Sequence, residues 1–508
     1  MLARTTTVAF EGLEARPVDV QCAVTPGVPG FAIVGLPDKA VSEARDRVRT
    51  ALSELSIALP SRKLTVNLSP ADLPKEGAHF DLPIALALLA AMEIVPADKV
   101  AGAVSLGEMA LDGTLVPVSG ALPAAVTAGS MGATLYCPAA CGPEAAWVEA
   151  ASVYAAPSLA ALIDHLTGKR PIEPAVPGRL PDLPAGPDMR DVRGQERAKR
   201  ALEIAAAGRH HLFLIGPPGA GKSMLAQRLP GILPPLTAAE SLETSMIHSL
   251  AGTLGHGAEA AGGILRRRPF QEPHHTASVA AIAGGGKRAG PGQISLAHNG
   301  VLFMDEFPEF PRAVLEVLRQ PIETGEVTIA RANAHVRYPC RFLLVAAANP
   351  CRCGMLFDAE AACSRAPGCG EEYMNRVSGP LLDRFDLRLE VPAMEVSDLA
   401  LPPSGDDSAT VAARVAKARQ VQAARYEGAG GVRVNADLSG EALMEAARPD
   451  SEGGELLDRA AARFRLSARG YHRVLRVART LADLEGAPIV RAPHVAEALA
   501  YRQVSARP

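Results

Sequence analysis

Residues 211–223 read HLFLIGPPGAGKS: an apolar run of strand length, then Gly216-Pro217-Pro218-Gly219-Ala220-Gly221-Lys222-Ser223, then the helix-forming KSMLAQRLPGIL. A strand that runs through a glycine-rich turn into a helix N-terminus aims backbone N–H groups at one point and suits polyphosphate. In such a loop the lysine is a point charge for the β/γ oxygens and the following hydroxyl is a Mg²⁺ ligand, so Lys222 and Ser223 are the first candidate site residues.

Working outward, VLFMDE (301–306) is a second apolar strand, ending in Asp305 and Glu306. A buried strand delivers both carboxylates to the phosphate edge of a sheet, Asp305 to hold Mg²⁺ and Glu306 to orient or deprotonate the attacking water. A third strand, FLLVAAAN (342–349), brings Asn349 to the same edge to polarise that water. Short apolar strands alternating with helices such as QERAKRALEIAAAG (195–208) predict a parallel α/β sheet with crossovers.

The rest of the chain divides around this block. With 508 residues, several domains are expected. RPIEPAVPGRLPDLPAGPDMR (170–190) carries six prolines and cannot continue a helix, and VPAMEVSDLALPPSGDDSAT (391–410) is a second break. The expected organisation is a mixed α/β domain over 1–168, a linker over 169–190, the nucleotide core over 191–392, a linker over 393–410 and a helical domain over 411–508.

Composition narrows the function. Lys plus Arg number 52 against 55 Asp plus Glu, a net charge of −3, so any polyanion site is a local patch. Gly (46) and Pro (42) together stay below the low-complexity range, and 48% hydrophobic residues indicate packed cores. Aromatics are 4% with one Trp, which disfavours a broad base-stacking platform. The longest apolar run, Leu82–Met92, is too short to span a bilayer, and no signal-peptide pattern opens the chain, so a cytoplasmic protein without a membrane partner is expected.

Basic residues cluster in two places. GEVTIARANAHVRYP (325–339) predicts a β-hairpin with its tip near Arg331, whose Arg331, His335 and Arg337 are candidates for phosphate contacts, a soluble sheet edge being the alternative. The stretch 265–293 places Arg266, Arg267 and Arg268 on one side of a glycine-rich turn that carries Lys287 and Arg288. The adjacent His274 and His275 are weak evidence for a metal site, and hydrogen bonding within the loop is expected instead. Cys351, Cys353, Cys363 and Cys369 are numerous enough for a tetrahedral Zn²⁺ site, although the Cys-x-Cys spacing is tight for one and unligated thiols are the alternative.

DVRGQERAKRALEIAAAGRHHLFLIGPPGAGKS (191–223), the 273–306 segment ending in VLFMDE, AAANPCRCG (346–354) and SGPLLDRFD (378–386) together resemble the magnesium-chelatase-like YifB/ComM family of AAA+ ATPases. The N-terminal stretches 30–52 and 64–89 are similar to the same family, so the resemblance covers the chain. It implies an AAA+ P-loop core, an N-terminal Lon-protease-like α/β domain and a C-terminal helical lid. It further implies ATP and Mg²⁺ as cofactors, a homo-hexameric ring, and DNA branch migration or helicase activity on single-stranded or branched DNA during natural transformation. Arg384 matches the family's arginine finger, with a local ion pair to Asp383 or Asp386 as the alternative, and Arg469 matches the second sensor arginine, with Arg473 as its substitute. In the Lon-like domain His79-Phe80 and Ala124 stand where a serine and lysine dyad would lie, so proteolysis is not expected. Two other readings stay open: a chelatase-type ATPase that remodels a partner enzyme for Mg insertion, and a nonmotor DNA-binding scaffold.

Overall fold

The computed structural model describes residues 1–180, 186–254, 263–286, 289–330, 335–356, 364–394 and 405–502. Strand β1 (Leu2–Glu11) folds back on β2 (Glu14–Thr25) in an antiparallel ladder that turns at Gly12 and Leu13. Two further strands, β3 (Gly30–Val34) and β4 (Lys63–Ser69), extend this sheet on one side, and β5 (Ala103–Ser105) opens the other. A short antiparallel pair, β6 (Glu108–Met109) and β7 (Leu115–Val116), lies outside the sheet, which β8 (Thr134–Pro138) and β9 (Ser152–Ala156) complete in the order β3-β4-β2-β1-β5-β8-β9. The helix Asp81–Ala91 is buried along its whole length between this sheet and the helix Lys39–Glu54, which explains why its sequence has no polar face.

The second sheet is parallel throughout. It is built from β10 (Leu212–Ile215), β11 (Phe270–Gln271), β14 (Val301–Met304), β17 (Leu343–Ala348) and β18 (Leu387–Glu390), in the order β11-β14-β17-β10-β18. Side chains alternate across it with the two-residue period of a strand. Leu212, Leu214, Phe303 and Val345 face a core shared with the helices Glu196–Gly208, Ser408–Arg425 and Ala468–Glu485. Phe213, Ile215, Leu302 and Ala346 face a second core under the hairpins. The C-terminal helices therefore share one apolar cluster with the sheet, and their first helix begins at Ser408, three residues before the expected boundary.

Two hairpins project from the second core. One pairs β12 (Gly284–Gly285) with β13 (Gly290–Pro291), and the other pairs β15 (Glu326–Ala330) with β16 (His335–Pro339). Tyr338 donates from its hydroxyl to the Ala289 carbonyl at 3.0 Å, and a Cβ on Gly284 would meet Ile329 Cδ1 at 2.7 Å, so the two hairpins are packed as one ridge. The β1–β2 turn docks on this ridge, where a Cβ on Gly12, at φ +66°, would lie 2.6 Å from the Arg337 carbonyl oxygen. Ser249 accepts from the Gly120 N–H through its carbonyl and donates to the half-buried Glu144 carboxylate, a second tie between the first domain and the core.

At the edge of the parallel sheet where its strands begin, the Asp386 carboxylate is enclosed. It accepts from Arg473 Nη1 at 2.7 Å and from the His211 backbone N–H at 3.1 Å, and although burial pushes its pKa up, the Arg473 charge and neighbouring histidines hold it well below the usual carboxylate range. His211 accepts the Leu344 N–H on Nδ1 at 3.0 Å, and burial pushes its pKa down to about 3. Both groups have folded-state pKa values below their unfolded ones, so each stabilises the fold above its unfolded pKa and less as pH falls. Stability should decline as pH drops below about 6.5, through His211, and again below about 4, through Asp386. Thermal melts across pH should show a shallower first decline in His211→Asn, which keeps an acceptor near Nδ1 but does not titrate. His248, His298 and His165, whose pKa values burial also lowers, contribute to the same decline. Asp386→Ala leaves Arg473 buried without its carboxylate partner and should cost about 3–5 kcal/mol.

Candidate functional site: a phosphate loop and an arginine edge

The loop Gly216–Ser223 leaves β10 where parallel pairing with β17 and β18 ends. Gly219 and Gly221 have φ of +78° and +86°, the left-handed region that only glycine enters at little cost. Gly216 is needed for a different reason: a Cβ there would lie 2.2 Å from the Val391 carbonyl oxygen. Its role is close packing against the end of β18, alongside its place in the candidate phosphate loop.

Lys222 is buried, and its ammonium donates to the carbonyls of Gly216 (2.7 Å) and Pro217 (2.9 Å) and to Asn349 Oδ1 (3.1 Å). Burial lowers its pKa, and the charges of Asp305 and Glu306 oppose that shift. Ser223 Oγ donates to Asp305 Oδ2 at 2.6 Å. The sheet order puts β17 between β10 and β14, so Asn349, Lys222 and Asp305 converge although they are distant in sequence. Lys222, Ser223, Asp305 and Asn349 are thus brought together at one edge. A hydroxyl and a carboxylate at 2.6 Å, beside a caged ammonium, fit a Mg²⁺ ion with its phosphate ligands.

Glu306 follows Asp305 with φ +50°, its N–H bound by Asp305 Oδ1 at 2.8 Å. Its Oε2 stands 3.0 Å from His275 Nδ1. This corrects the expectation for the histidine pair, since only His274 bonds within the loop, to Thr276 Oγ1 at 2.8 Å. The carboxylate partner of His275 was hidden because it is 31 positions away. Glu272 also reaches this edge: burial and the Asp305 charge raise its pKa, and Gln227 hydrogen-bonds it. The one sequence signal for both residues was the polar run EPHH directly after a strand.

Arg384 and Arg469 are elsewhere. Arg384 precedes β18 while the phosphate loop follows β10, and these strands run parallel, so four strand residues, about 13 Å, separate the two edges. Neither expected partner of Arg384 is used locally. Asp383 binds Arg502 (2.9 Å) and Asp386 binds Arg473, whereas Arg384 is buried and pairs with Glu323 at 2.5 Å. Arg469 points to the same glutamate at 3.8 Å with its side chain 63% exposed. Arg473, the substitute sensor, is held by Asp386. Glu323, Arg469 and Arg473 line a cavity of about 530 Å³ at this edge.

The hairpin expected near Arg331 is present, and its tip, including Arg331, lies outside the described residues. His335 and Arg337 are exposed while Val336 and Tyr338 are buried. Lys287 and Arg288 likewise fall outside the described residues. Arg268 turns inward instead, to Glu240 (3.0 Å) and the carbonyls of Pro234 and Asn299 (both 2.7 Å).

Among the cysteines, the Cys351 and Cys353 sulfurs are 3.0 Å apart, in a loop whose Gly354 packs on Pro218 of the phosphate loop. Cys363 lies outside the described residues, and among the described residues no three His, Cys, Asp or Glu side chains gather as a metal site. The zinc reading gains no support. In the first domain, His79 Nε2 lies 2.9 Å from the Val8 carbonyl and its ring packs on Phe10 and Phe80, while Ala124 is buried in a helix. Among the described residues, no helix is long and apolar enough to cross a membrane.

Comparison with known proteins agrees with this architecture. Residues 188–399 match the model for magnesium chelatase, subunit ChlI, residues 20–140 match that for subunit ChlI of Mg-chelatase, and 405–502 match its C-terminal model. The chain is 43% identical over 501 residues to Escherichia coli YifB, covering 98% of this chain and 96% of that protein. It is 43% identical over 500 residues to competence protein ComM of Haemophilus influenzae, covering 97% and 96%. The magnesium-chelatase 38 kDa subunit of Rhodobacter capsulatus is 28% identical over 176 residues, 31% of this chain and 48% of that subunit. With a parallel P-loop sheet, its carboxylate and asparagine strands and full-length relatives at 43% identity, the chain belongs to the YifB/ComM family of magnesium-chelatase-like AAA+ ATPases.

Proposed function

We propose that the chain is an ATP-hydrolysing motor that assembles as a homo-hexameric ring on single-stranded or branched DNA in the cytoplasm. Its task in this reading is branch migration or strand separation during integration of transforming DNA. The observation that carries it is the separation of the two edges: a chain whose phosphate loop is at one edge and whose arginines are at the other needs a neighbour to complete the site.

In this reading the backbone amides of 219–223 and Lys222 bind the phosphates of ATP, while Ser223 and Asp305 hold Mg²⁺. Bound Mg²⁺ supplies neutralisation of charge on the phosphate oxygens. Glu306 accepts a proton from the attacking water, and Asn349 fixes Lys222 and that water. Arg384 and Arg469 of the adjacent subunit exchange Glu323 for the developing γ-phosphate charge, which makes turnover depend on assembly. The ridge of two hairpins presents His335 and Arg337 to the DNA backbone, and Arg331, Lys287 and Arg288 are the further basic residues proposed to contact it. Six copies multiply a weak charge into a grip. The competence-protein relative covers nearly the whole chain and the chelatase subunit less than a third of it, which favours the motor over a chelatase-type ATPase.

The deciding measurement is ATPase rate without DNA, with single strands and with forked duplex. The motor predicts stimulation by DNA, and a rate indifferent to all three refutes it. Arg331→Ala with Arg337→Ala should retain DNA-free ATPase, lose strand separation, and reduce the log–log salt slope of binding by about 0.7 per lost contact on single strands or about 0.9 on duplex.

Lys222→Ala should abolish ATP binding, whereas Glu306→Gln should retain it and lose turnover by about 10²-fold or more. Equilibrium binding of a fluorescent ATP analogue separates the two. Arg384→Ala should bind ATP and fail to hydrolyse it. Mixing that variant with Glu306→Gln should restore part of the activity, because each supplies what the other lacks across their boundary.

A further inference from the structure

The first domain reaches the hairpin ridge with the turn between β1 and β2. Gly12 makes that turn at φ +66°, and its backbone lies so close to β16 that a Cβ there would stand 2.6 Å from the Arg337 carbonyl oxygen and 3.4 Å from Val336 Cγ1. Leu13 beside it is half-buried and packs on the apolar core beneath the ridge. Next to this contact, a cavity of about 300 Å³ separates Phe10, Glu11 and His79 on one side from Pro291, Val336 and Tyr338 on the other. The turn is backed by the first domain itself. Phe10 packs on Gly120, where a Cβ would lie 2.4 Å from Phe10 Cζ, and Thr127 Oγ1 donates to the Ala15 carbonyl at 2.7 Å. The Gly120 N–H also donates to the Ser249 carbonyl at 3.2 Å, so one short segment both backs the turn and holds the helix Ala238–Leu250. That helix is fixed to the approach to β14, through Asn299 Nδ2 donating to Thr244 Oγ1 at 3.2 Å.

We propose that Gly12 and Leu13 are positioning residues for the DNA grip: their turn holds the 326–339 hairpin in the place from which it engages DNA, and so lets DNA contact change the rate of ATP turnover. The inference rests on the reading of the ridge as the DNA-binding element. A two-stranded hairpin is marginal by itself and takes its place from what it packs against. Val336 and Tyr338 hold one side of β16 to the core beneath, while the strand's backbone at Arg337 has the β1–β2 turn against it. The neighbouring cavity is space into which the strand can shift once the turn no longer meets it. A phosphate contact made from a loosely held strand must then order that strand as it forms, which weakens it. Both residues belong to the first domain, which supplies none of the groups read as binding or hydrolysing ATP, so turnover without DNA should survive their replacement.

The test uses the full-length protein and compares two glycines of like backbone conformation. Gly132 has φ +62°, close to the +66° of Gly12, and a Cβ there meets nothing within 4 Å. Gly12→Ala and Gly132→Ala therefore share the left-handed penalty, and only the first pushes on the ridge. ATPase rate is measured without DNA and with forked duplex, together with binding of that duplex across salt. Gly12→Ala and Leu13→Ser should lose at least about fivefold of the DNA stimulation, with a shallower log–log salt slope, and keep the DNA-free rate within about twofold. Gly132→Ala and Leu13→Met should behave as the wild type. Hydrogen exchange without DNA should quicken at the backbone amides of 335–338 in Gly12→Ala and not in Gly132→Ala.

Stimulation in Gly12→Ala and Leu13→Ser within about twofold of the wild type, an equal loss in Gly132→Ala, or a DNA-free rate that falls in step with the stimulated one would each overturn the inference. So would unchanged exchange at 335–338 in Gly12→Ala. Thermal melting identifies a variant that fails to fold, and the other of the pair Gly12→Ala and Leu13→Ser then decides. If the wild type itself is indifferent to DNA, the motor reading has failed and the inference with it. If the wild type is stimulated and both variants are stimulated alike, only the positioning role has failed.

Discussion

The parallel register of β10 between β17 and β18 is the constraint on which the rest of the molecule depends. Leu212 aligns with Val345 and with Leu387, and Ile215 with Ala348 and with Glu390. Because all three strands point the same way, their ends define one edge, and the residues just beyond each strand arrive there: the phosphate loop and Asn349, joined from β14 by Asp305 and Glu306. Parallel strands cannot be joined by tight turns, so long crossovers must return each strand to its start. Those crossovers supply the helices that bury both faces, and the inserted hairpins grow from them.

The same register decides what the opposite edge does. Arg384, Asp386 and His211 precede strands, so they gather where the strands begin. Three ion pairs there sort the arginines by consequence. Asp386 takes Arg473 into a buried pair that ties the last strand to the helix Ala468–Glu485. Asp383 takes Arg502. Glu323 takes Arg384 and leaves Arg469 exposed. A half-exposed glutamate is a weaker competitor for an arginine than a buried aspartate, because water screens it. In the proposed reading the arginines on Glu323 are therefore the ones that exchange partner, while Arg473 ties the last strand to the helix.

The first domain is tied to the core at two unlike places. The β1–β2 turn lies against the hairpin ridge through close backbone packing at Gly12, and Glu144 with Gly120 meets the helix Ala238–Leu250 through Ser249. One contact touches the elements that carry basic side chains and the other an element of the scaffold. A domain whose dyad positions hold His79 and Ala124 is thus placed against the ridge proposed to grip DNA rather than around a cleavage site.

The phosphate loop, its two companion strands and the helical C-terminal block were legible because they are written in local pattern: apolar runs of strand length, a glycine at each left-handed position of the loop, and 3.6-residue periodicity. The hairpin at 326–339 was legible for the same reason, as alternation about a polar tip. Strands β1 and β2 were not singled out, because their alternation is carried by Thr, Ala and Arg as much as by Val, and only long-range pairing makes that pattern a ladder. Tertiary structure alone decided which charges meet. Sequence proximity offered Asp383 and Asp386 to Arg384 and Glu272 to His275. The fold gave Glu323 to the first and Glu306 to the second, because ion pairs form between side chains that the folded chain brings within a few ångströms, whatever their separation in sequence.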